Sequence, residues 1–322
     1  MSARGLAAAA AWLLAGCAGT SRQVAAPAAL PPGAEARSLF GEPLVPAPPS
    51  PEARRAMESQ LADARRAYAR TPNDADSLIW FGRRTAYLGR FNEAIRIFSE
   101  GIAKHPDDAR MYRHRGHRYI TVRRLDDAIA DFQRAAALIE GRPDEVEPDG
   151  QPNARNIPTS TLQSNIWYHL GLAHYLKGDF DAARRAYEKC MEVSKNPDNL
   201  VATSHWLYMT LRRQGHETDA AALLAPIHPG LEIIENGSYM RLLLMYKGQL
   251  SPDSVLAERR GDDAALDDAT LGYGVGNWYL YNGRRADAER VFRRVLAGPQ
   301  WGAFGYVAAE ADMVRLGGRS RD

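Results

Sequence analysis

The strongest constraint on the fold is an internal self-similarity. Aligning IWYHLGLAHYLKGDFDAARRAYEKC (166–190) with LIWFGRRTAYLGRFNEAIRIFSEGI (78–102) sets Gly171 on Gly82, Gly178 on Gly89, Phe180 on Phe91, Ala183 on Ala94 and Tyr187 on Phe98. The second glycine of each segment breaks a helical pattern and opens a tight turn, so each unit reads as two helices folded back on each other. Small residues let the two helices cross closely, and the aromatic rings fill the gap to the next pair. Such a unit cannot bury its apolar face alone and has to stack on others of its kind. Helix formers, above all Ala, Leu and Arg, dominate the composition, and no alternating Val/Ile/Thr stretch suggests a sheet.

On this pattern, repeats fall at about 75–108, 109–142, 164–197, 201–234 and 269–302. The fifth runs through Gly276, Tyr279, Gly283, Ala288 and Phe292, and a degenerate pair is expected at 238–260. Ser50-Pro51 predicts the start of an extra helix that ends near Thr71-Pro72. Residues 301–316 predict a terminal helix covering the last apolar face. Between the second and third repeats an insert, GRPDEVEPDGQPNARNIPTS (141–160), breaks the period, and its four prolines rule out a regular helix.

The N-terminus reads as an address. MSARGLAAAAAWLLAGC has a basic start and a short apolar run, as in a secretory signal peptide, and the run is too short to span a bilayer. Leu14-Ala15-Gly16-Cys17 resembles the bacterial lipobox. That resemblance implies cleavage after residue 16 and lipidation of Cys17 (a diacylglycerol thioether plus an amide-linked acyl chain such as palmitate). Ala18 after the cysteine implies the outer membrane of a two-membrane envelope. The expected organisation is a signal peptide at 1–16, a Pro/Ala-rich tether at 17–49 and a repeat body at 50–322. The tether would reach at most roughly 100 Å. Within it only SLFGEPL (38–44) offers an apolar patch for docking.

The repeat pattern (bulky residue, Leu-Gly or its like, Tyr, then Gly-x-aromatic, Ala, aromatic, small residue) resembles the tetratricopeptide repeat. The resemblance covers about three quarters of the chain and implies an all-α fold, a right-handed α-solenoid of helix pairs. It also implies a concave face that recruits proteins or peptides. The groove-facing places hold Arg83 and Tyr87; Arg110, Arg113 and His117; Tyr168, Leu172 and Tyr175; His205 and Arg212; and Tyr273, Asn277 and Tyr281. Some members of that family clamp a peptide carboxylate with a basic residue and an asparagine one turn on. Here those places hold Arg113 and His117, so the clamp is not reproduced.

The most basic stretch, ARMYRHRGHRYITVRRL (109–125), carries six arginines and two histidines without an acid. Spaced at 100° per residue they form no single stripe. Arg110, Arg113 and His117 share the groove side, Arg115 and Arg118 point elsewhere, and Arg123 and Arg124 sit in the turn. Two readings of Arg110, Arg113 and His117 stand, a solvated helix face and a ligand groove. For the other four arginines the reading is a solvated face with pairing to neighbouring residues. Nucleic acid is not an expected partner, because 41 basic residues nearly balance 39 acidic ones and the leader removes the chain from the cytoplasm. Residues 109–142 carry eight bases against four acids, whereas 143–160 carry four acids (Asp144, Glu145, Glu147, Asp149) against Arg155 alone. That contrast suggests an insert folded back beside Arg110 and Arg113, either as part of the site or as a mask over it. The alternative is an exposed loop.

No catalytic or cofactor motif appears. His114/His117 lacks a third ligand, His169/His174 do not share a face, and GYGVGNW (272–278) follows no strand. Cys190 sits where a small buried residue packs, and two cysteines make no disulfide framework. The expectation is a non-enzymatic, cofactor-free scaffold in the bacterial cell envelope, with a protein or peptide partner for which acidic segments are one option. Its alternatives are a pilot-like assembly factor for an envelope complex and a cell-wall enzyme.

Overall fold

The computed structural model describes residues 29–257 and 264–318 of the 322-residue chain. The expected signal peptide and Cys17 lie outside the described residues. Ser50 accepts a hydrogen bond from the Ala53 N–H (3.1 Å) and starts α1 (Pro51–Arg70), with Pro51 in the first turn. The helix pairs follow: α2 (Ala75–Tyr87) with α3 (Phe91–Lys104), α4 (Ala109–Thr121) with α5 (Leu125–Ile139), and α6 (Leu162–Lys177) with α7 (Phe180–Val193). Next come α8 (Pro197–Arg213) with the short α9 (Glu217–Leu223), and α10 (Gly237–Tyr246) with the single turn α11 (Pro252–Leu256). The last pair is α12 (Ala264–Tyr281) with α13 (Arg285–Leu296), before a final α14 (Phe304–Arg315). The result is an α-solenoid of stacked helix pairs.

Its core repeats the sequence period. A Cβ on Gly171 would come within 2.7 Å of the Tyr187 ring, so only glycine lets α6 and α7 approach this closely. Glycine also occupies the left-handed turn position after the first helix in five pairs, at Gly89, Gly178, Gly215, Gly248 and Gly283. In the second pair the same place holds Arg123 at φ 65°. A non-glycine residue there costs roughly 1–2 kcal/mol of backbone strain.

The Arg123 side chain explains why that residue is held there. Its Nε donates to Glu310 Oε2 (2.8 Å), and its Nη atoms donate to the carbonyls of Thr121 (2.6 Å) and Trp301 (2.8 Å). The Arg123–Glu310 side chains are 4% and 1% exposed, so the solvated-face reading of Arg123 is corrected.

Glu310 belongs to α14, and this changes the expected role of the terminal helix. α14 does lie on α12 and α13, but it also reaches back to α6, where Arg315 donates to the Leu176 carbonyl (2.8 Å). Phe304, at its start, sits against the rings of His117, Tyr168 and His169. Fully buried Asp312 accepts from Arg213 Nη1 (2.9 Å) and from the Tyr273 hydroxyl (2.9 Å). The chain's own last helix thus covers much of the face built by the first helices of the pairs.

The span 17–49 is likewise not tether throughout. β1 (Ala36–Arg37) and β2 (Pro43–Leu44) form an antiparallel hairpin whose Ala36 and Leu44 are buried. Glu35 accepts from the Asn92 N–H (2.8 Å), Leu39 N–H donates to Glu310 Oε1 (3.1 Å), and Trp301 Nε1 donates to the Val45 carbonyl (2.8 Å). The apolar residues of SLFGEPL and these polar anchors outweigh the extended bias of the prolines.

Replacing Arg123 by Met leaves the Glu310 carboxylate buried without its cation, a loss of about 3–5 kcal/mol. Urea unfolding at pH 7 should report that loss, and Arg123→Met with Glu310→Met should recover most of it.

Candidate functional site

One part of the first-helix face stays open, between α2, α4 and the insert. Arg83 and Tyr87 of α2 face Arg113, His114, His117 and Arg118 of α4 across a cavity of about 130 Å³. The insert closes one side of this cavity. It springs from an antiparallel bridge, Val146 with Thr161, reinforced by Glu147 N–H to the Ser160 carbonyl (3.1 Å) and Leu162 N–H to the Glu145 carbonyl (2.8 Å). From there it runs back over α2. Arg83 Nη1 donates to the Pro148 carbonyl (2.8 Å) and Arg84 Nη1 to the Gly150 carbonyl (2.8 Å). A side chain at Gly150 would overlap the Tyr87 hydroxyl, so the crossing needs glycine.

Glu147 is the charge that the insert delivers. Its Oε2 lies 2.9 Å from Arg113 Nε, although that N–H is not aligned on the oxygen, and it accepts from Asn165 Nδ2 (3.0 Å). Both side chains of the pair are only 10% exposed. The other three acids of the insert do not reach the arginines. Asp144 caps the N–H groups of Glu145 and Gln163, Asp149 caps Gln151, and Glu145 is exposed.

The electrostatics of the cavity are lopsided. Arg113 is shifted down by burial, partly offset by Glu147 and reinforced by Arg83. Arg118 is pushed down to about 10 by burial and by the repulsion of Arg113 and Arg83. Both remain charged at neutral pH. Arg118 rests over the Phe91 ring at 5.6 Å and, among the described residues, makes no carboxylate pair. His114 and His117 are held well below the ordinary histidine range, chiefly by burial and then by neighbouring arginines, and are neutral. Arg113 Nη1 lies 3.0 Å from His114 Nδ1. A guanidinium only donates, so Nδ1 accepts and the His114 proton sits on Nε2, toward Glu147. Three guanidiniums therefore face one carboxylate.

A second cavity of about 300 Å³ adjoins the first and shares Arg113 and His117 with it. Tyr168, Tyr239 and Phe304 line it, together with Asn199, whose Nδ2 has no partner. Of the residues expected in the groove, Arg83, Tyr87, Arg113, His117 and Tyr168 come together around these two cavities. Arg110 does not join them. It turns to the rim and is neutralised by Asp108 and Asp76, each 2.6 Å away.

Tyr175, His205 and Arg212 are corrected as well, because neighbouring helices bury or engage them. Tyr175 is fully buried, with its hydroxyl 2.6 Å from that of Tyr273. His205 is stacked between Tyr239 and Tyr246 of α10. Arg212 lies over the Tyr281 ring at 4.5 Å and bonds Glu217 and Asn282. Leu172, Tyr273 and Asn277 are likewise buried. Arg115, expected to pair with its neighbours, binds Asp131 through two hydrogen bonds (2.7 and 2.8 Å) and is more buried than a solvated face implies.

The sequence reading missed Arg118 and did not single out Glu147. Arg118 is about 140° round α4 from Arg113, and only a long flexible stem brings its head back to the cavity. For Glu147 a signal existed in the opposite charges of the insert and the second repeat. Among the described residues no group of three or more His, Cys, Asp or Glu is placed to hold a metal ion.

Stacked helix pairs with glycine turns define an α-solenoid of repeated units, and a basic cavity opens on it. Residues 164–197, the third pair, match the family model described as Tetratricopeptide repeat. No curated protein matches the chain. Among solved structures, a tetratricopeptide repeat protein from Parabacteroides merdae is similar at 14% identity and a TM-score of 0.48, over 81% of this chain and 94% of that one. MamA is similar at 16% identity and 0.42, over 62% and 95%. YrrB, described as a TPR protein with an unusual peptide-binding site, is similar at 15% identity and 0.41, over 77% and 97%.

Burial holds His169 and His205 down at about 3, so both fold neutral, whereas the unfolded chain protonates them near 6.5. Between those values the unfolded state binds more protons, so stability falls as pH drops below about 6.5. From pH 7 to pH 5 each histidine should account for about 2 kcal/mol of lost stability. Urea unfolding at the two pH values checks this, and His205→Phe should shrink the difference by that amount.

Proposed function

We propose that this protein is a non-enzymatic scaffold of the bacterial envelope that holds a protein or peptide partner carrying acidic residues. The observation that carries the reading is the cavity where Arg83, Arg113 and Arg118 converge on Glu147 alone. Guanidiniums in a partly desolvated site attract carboxylates strongly, and their planar fork fixes the geometry of the contact. Tyr87 and Tyr168 beside them supply apolar contact area, and arginine with tyrosine is the pairing that concentrates binding energy at interfaces. The partner surface is the mouth between α2, α4 and the insert, since α10, α12 and α14 cover much of the rest of the first-helix face.

Anchoring rests on the sequence. The lipobox-like stretch ending at Cys17 supports lipid attachment there, with Ala18 favouring the outer membrane, and the body would face the periplasm. An assembly factor for an envelope complex is one form of such a scaffold.

Two experiments test the reading. Proteins cross-linked to the intact chain can be identified by mass spectrometry and the captured partner titrated against variants. Arg113→Gln with Arg118→Gln should weaken binding by about 2–5 kcal/mol, as for lost buried charge contacts. Arg110→Gln with Arg134→Gln, at exposed ion pairs, should change it little, and equal losses would mean general electrostatics. For the anchor, Cys17→Ser should move the protein from the membrane to the soluble fraction or block its processing. Intact processing with an unchanged membrane fraction would rule lipidation out.

A further inference from the structure

We propose that the tip of the insert, Glu147 to Gly150, is a built-in competitor for the arginine cavity, and that a ligand with two or more closely spaced carboxylates displaces it. The inference rests on the acidic-partner reading above and adds how the site is regulated.

The groups that hold the tip are the groups a ligand would use. Arg113 pairs with the Glu147 carboxylate, Arg83 donates to the Pro148 carbonyl, and Arg84 donates to the Gly150 carbonyl. A carboxylate that engages Arg83 and Arg113 removes two of these anchors at once and leaves the tip held by Arg84 and by Asn165, which donates to Glu147. The base of the insert is secured separately, by the Val146–Thr161 bridge and by Glu235, which accepts from Asn153 and Thr159. Displacement therefore loosens the tip without unravelling the insert.

The charge balance sets the direction of the exchange. Glu147 brings one negative charge to three guanidiniums and, among the described residues, leaves Arg118 without a carboxylate. A ligand with a single carboxylate would only replace one anion by another. A ligand with two exceeds what Glu147 supplies, so the exchange favours it. The open 130 Å³ beside Glu147 gives the first incoming carboxylate a place to land on Arg118 before the tip leaves. The masked form also keeps the buried Arg113 from standing without a counter-charge when no partner is present.

The test uses the full chain and, as probe, a fluorescein-labelled hexaglutamate peptide with an amidated C-terminus. Its binding is read by anisotropy, and amide exchange is followed in peptides covering 145–157. Glu147→Gln should bind hexaglutamate about tenfold more tightly, because a larger fraction of the protein is then open. The same substitution should speed exchange at the tip without ligand, and hexaglutamate should speed it in the unaltered protein. Asp149→Asn removes the same charge from the insert but no arginine contact, so it should leave affinity nearly unchanged. Arg118→Gln should lose most of the binding.

Equal tightening by Asp149→Asn and Glu147→Gln, or a tip whose exchange does not respond to hexaglutamate, would overturn the competitor role. The acidic-partner reading would then stand on Arg118→Gln alone. Failure of hexaglutamate to bind either the unaltered protein or Glu147→Gln would overturn both.

Discussion

The ion pair of Arg123 with Glu310 is the joint on which the architecture closes. Arg213 with Asp312 and Arg315 with the Leu176 carbonyl also hold the last helix, but of the three only this pair ties it to the turn of the second helix pair. With it, the turn of the second pair, the last helix and the N-terminal hairpin share one buried carboxylate, since Glu310 also accepts from Leu39. Burial raises the pKa of Glu310 and Arg123 opposes that shift, so each charge makes the other tolerable. The joint is bought with a strained backbone at Arg123. Every other turn of this type in the described residues uses a glycine, so the strain is local to the one residue that also closes the solenoid.

This closure marks what was legible in the sequence. The helix pairs were, because Gly171 with Tyr187 or Gly82 with Phe98 is a contact within one pair, encoded at fixed spacing. The occupancy of the first-helix face was not, because it depends on residues about 100–190 positions apart, such as Arg213 with Asp312 or Arg123 with Glu310. Tyr175 and His205 sit at groove-facing places of the repeat, yet they are covered by neighbouring helices whose placement no local pattern announces. Position in a repeat gives the direction of a side chain, and exposure depends on what else packs there.

The site was half legible for the same reason. The second repeat is basic and the insert acidic, and that contrast suggested their contact. It did not say that Glu147 alone would make the contact, because Asp144 and Asp149 spend their carboxylates on backbone N–H groups nearby. Nor did periodicity distinguish Arg110, tied up by Asp76 and Asp108, from Arg118, left without an acid. Helical spacing places the Cα atoms, and a four-bond stem decides where the charge ends up.

The docked hairpin sets how far the body could stand from a membrane. If Cys17 is the point of attachment, the chain after it is gripped by Arg37 at the Ala29 carbonyl and by Asn92 at Glu35, well before the start of α1. Eighteen residues at full extension span no more than roughly 60 Å, about half the reach of a leash running to Ser50. With such an attachment the chain would reach the body beside α3 and the closing helix, and that side would face the bilayer. A partner would then have to be sought within that short radius, in the layer of the envelope nearest the membrane surface.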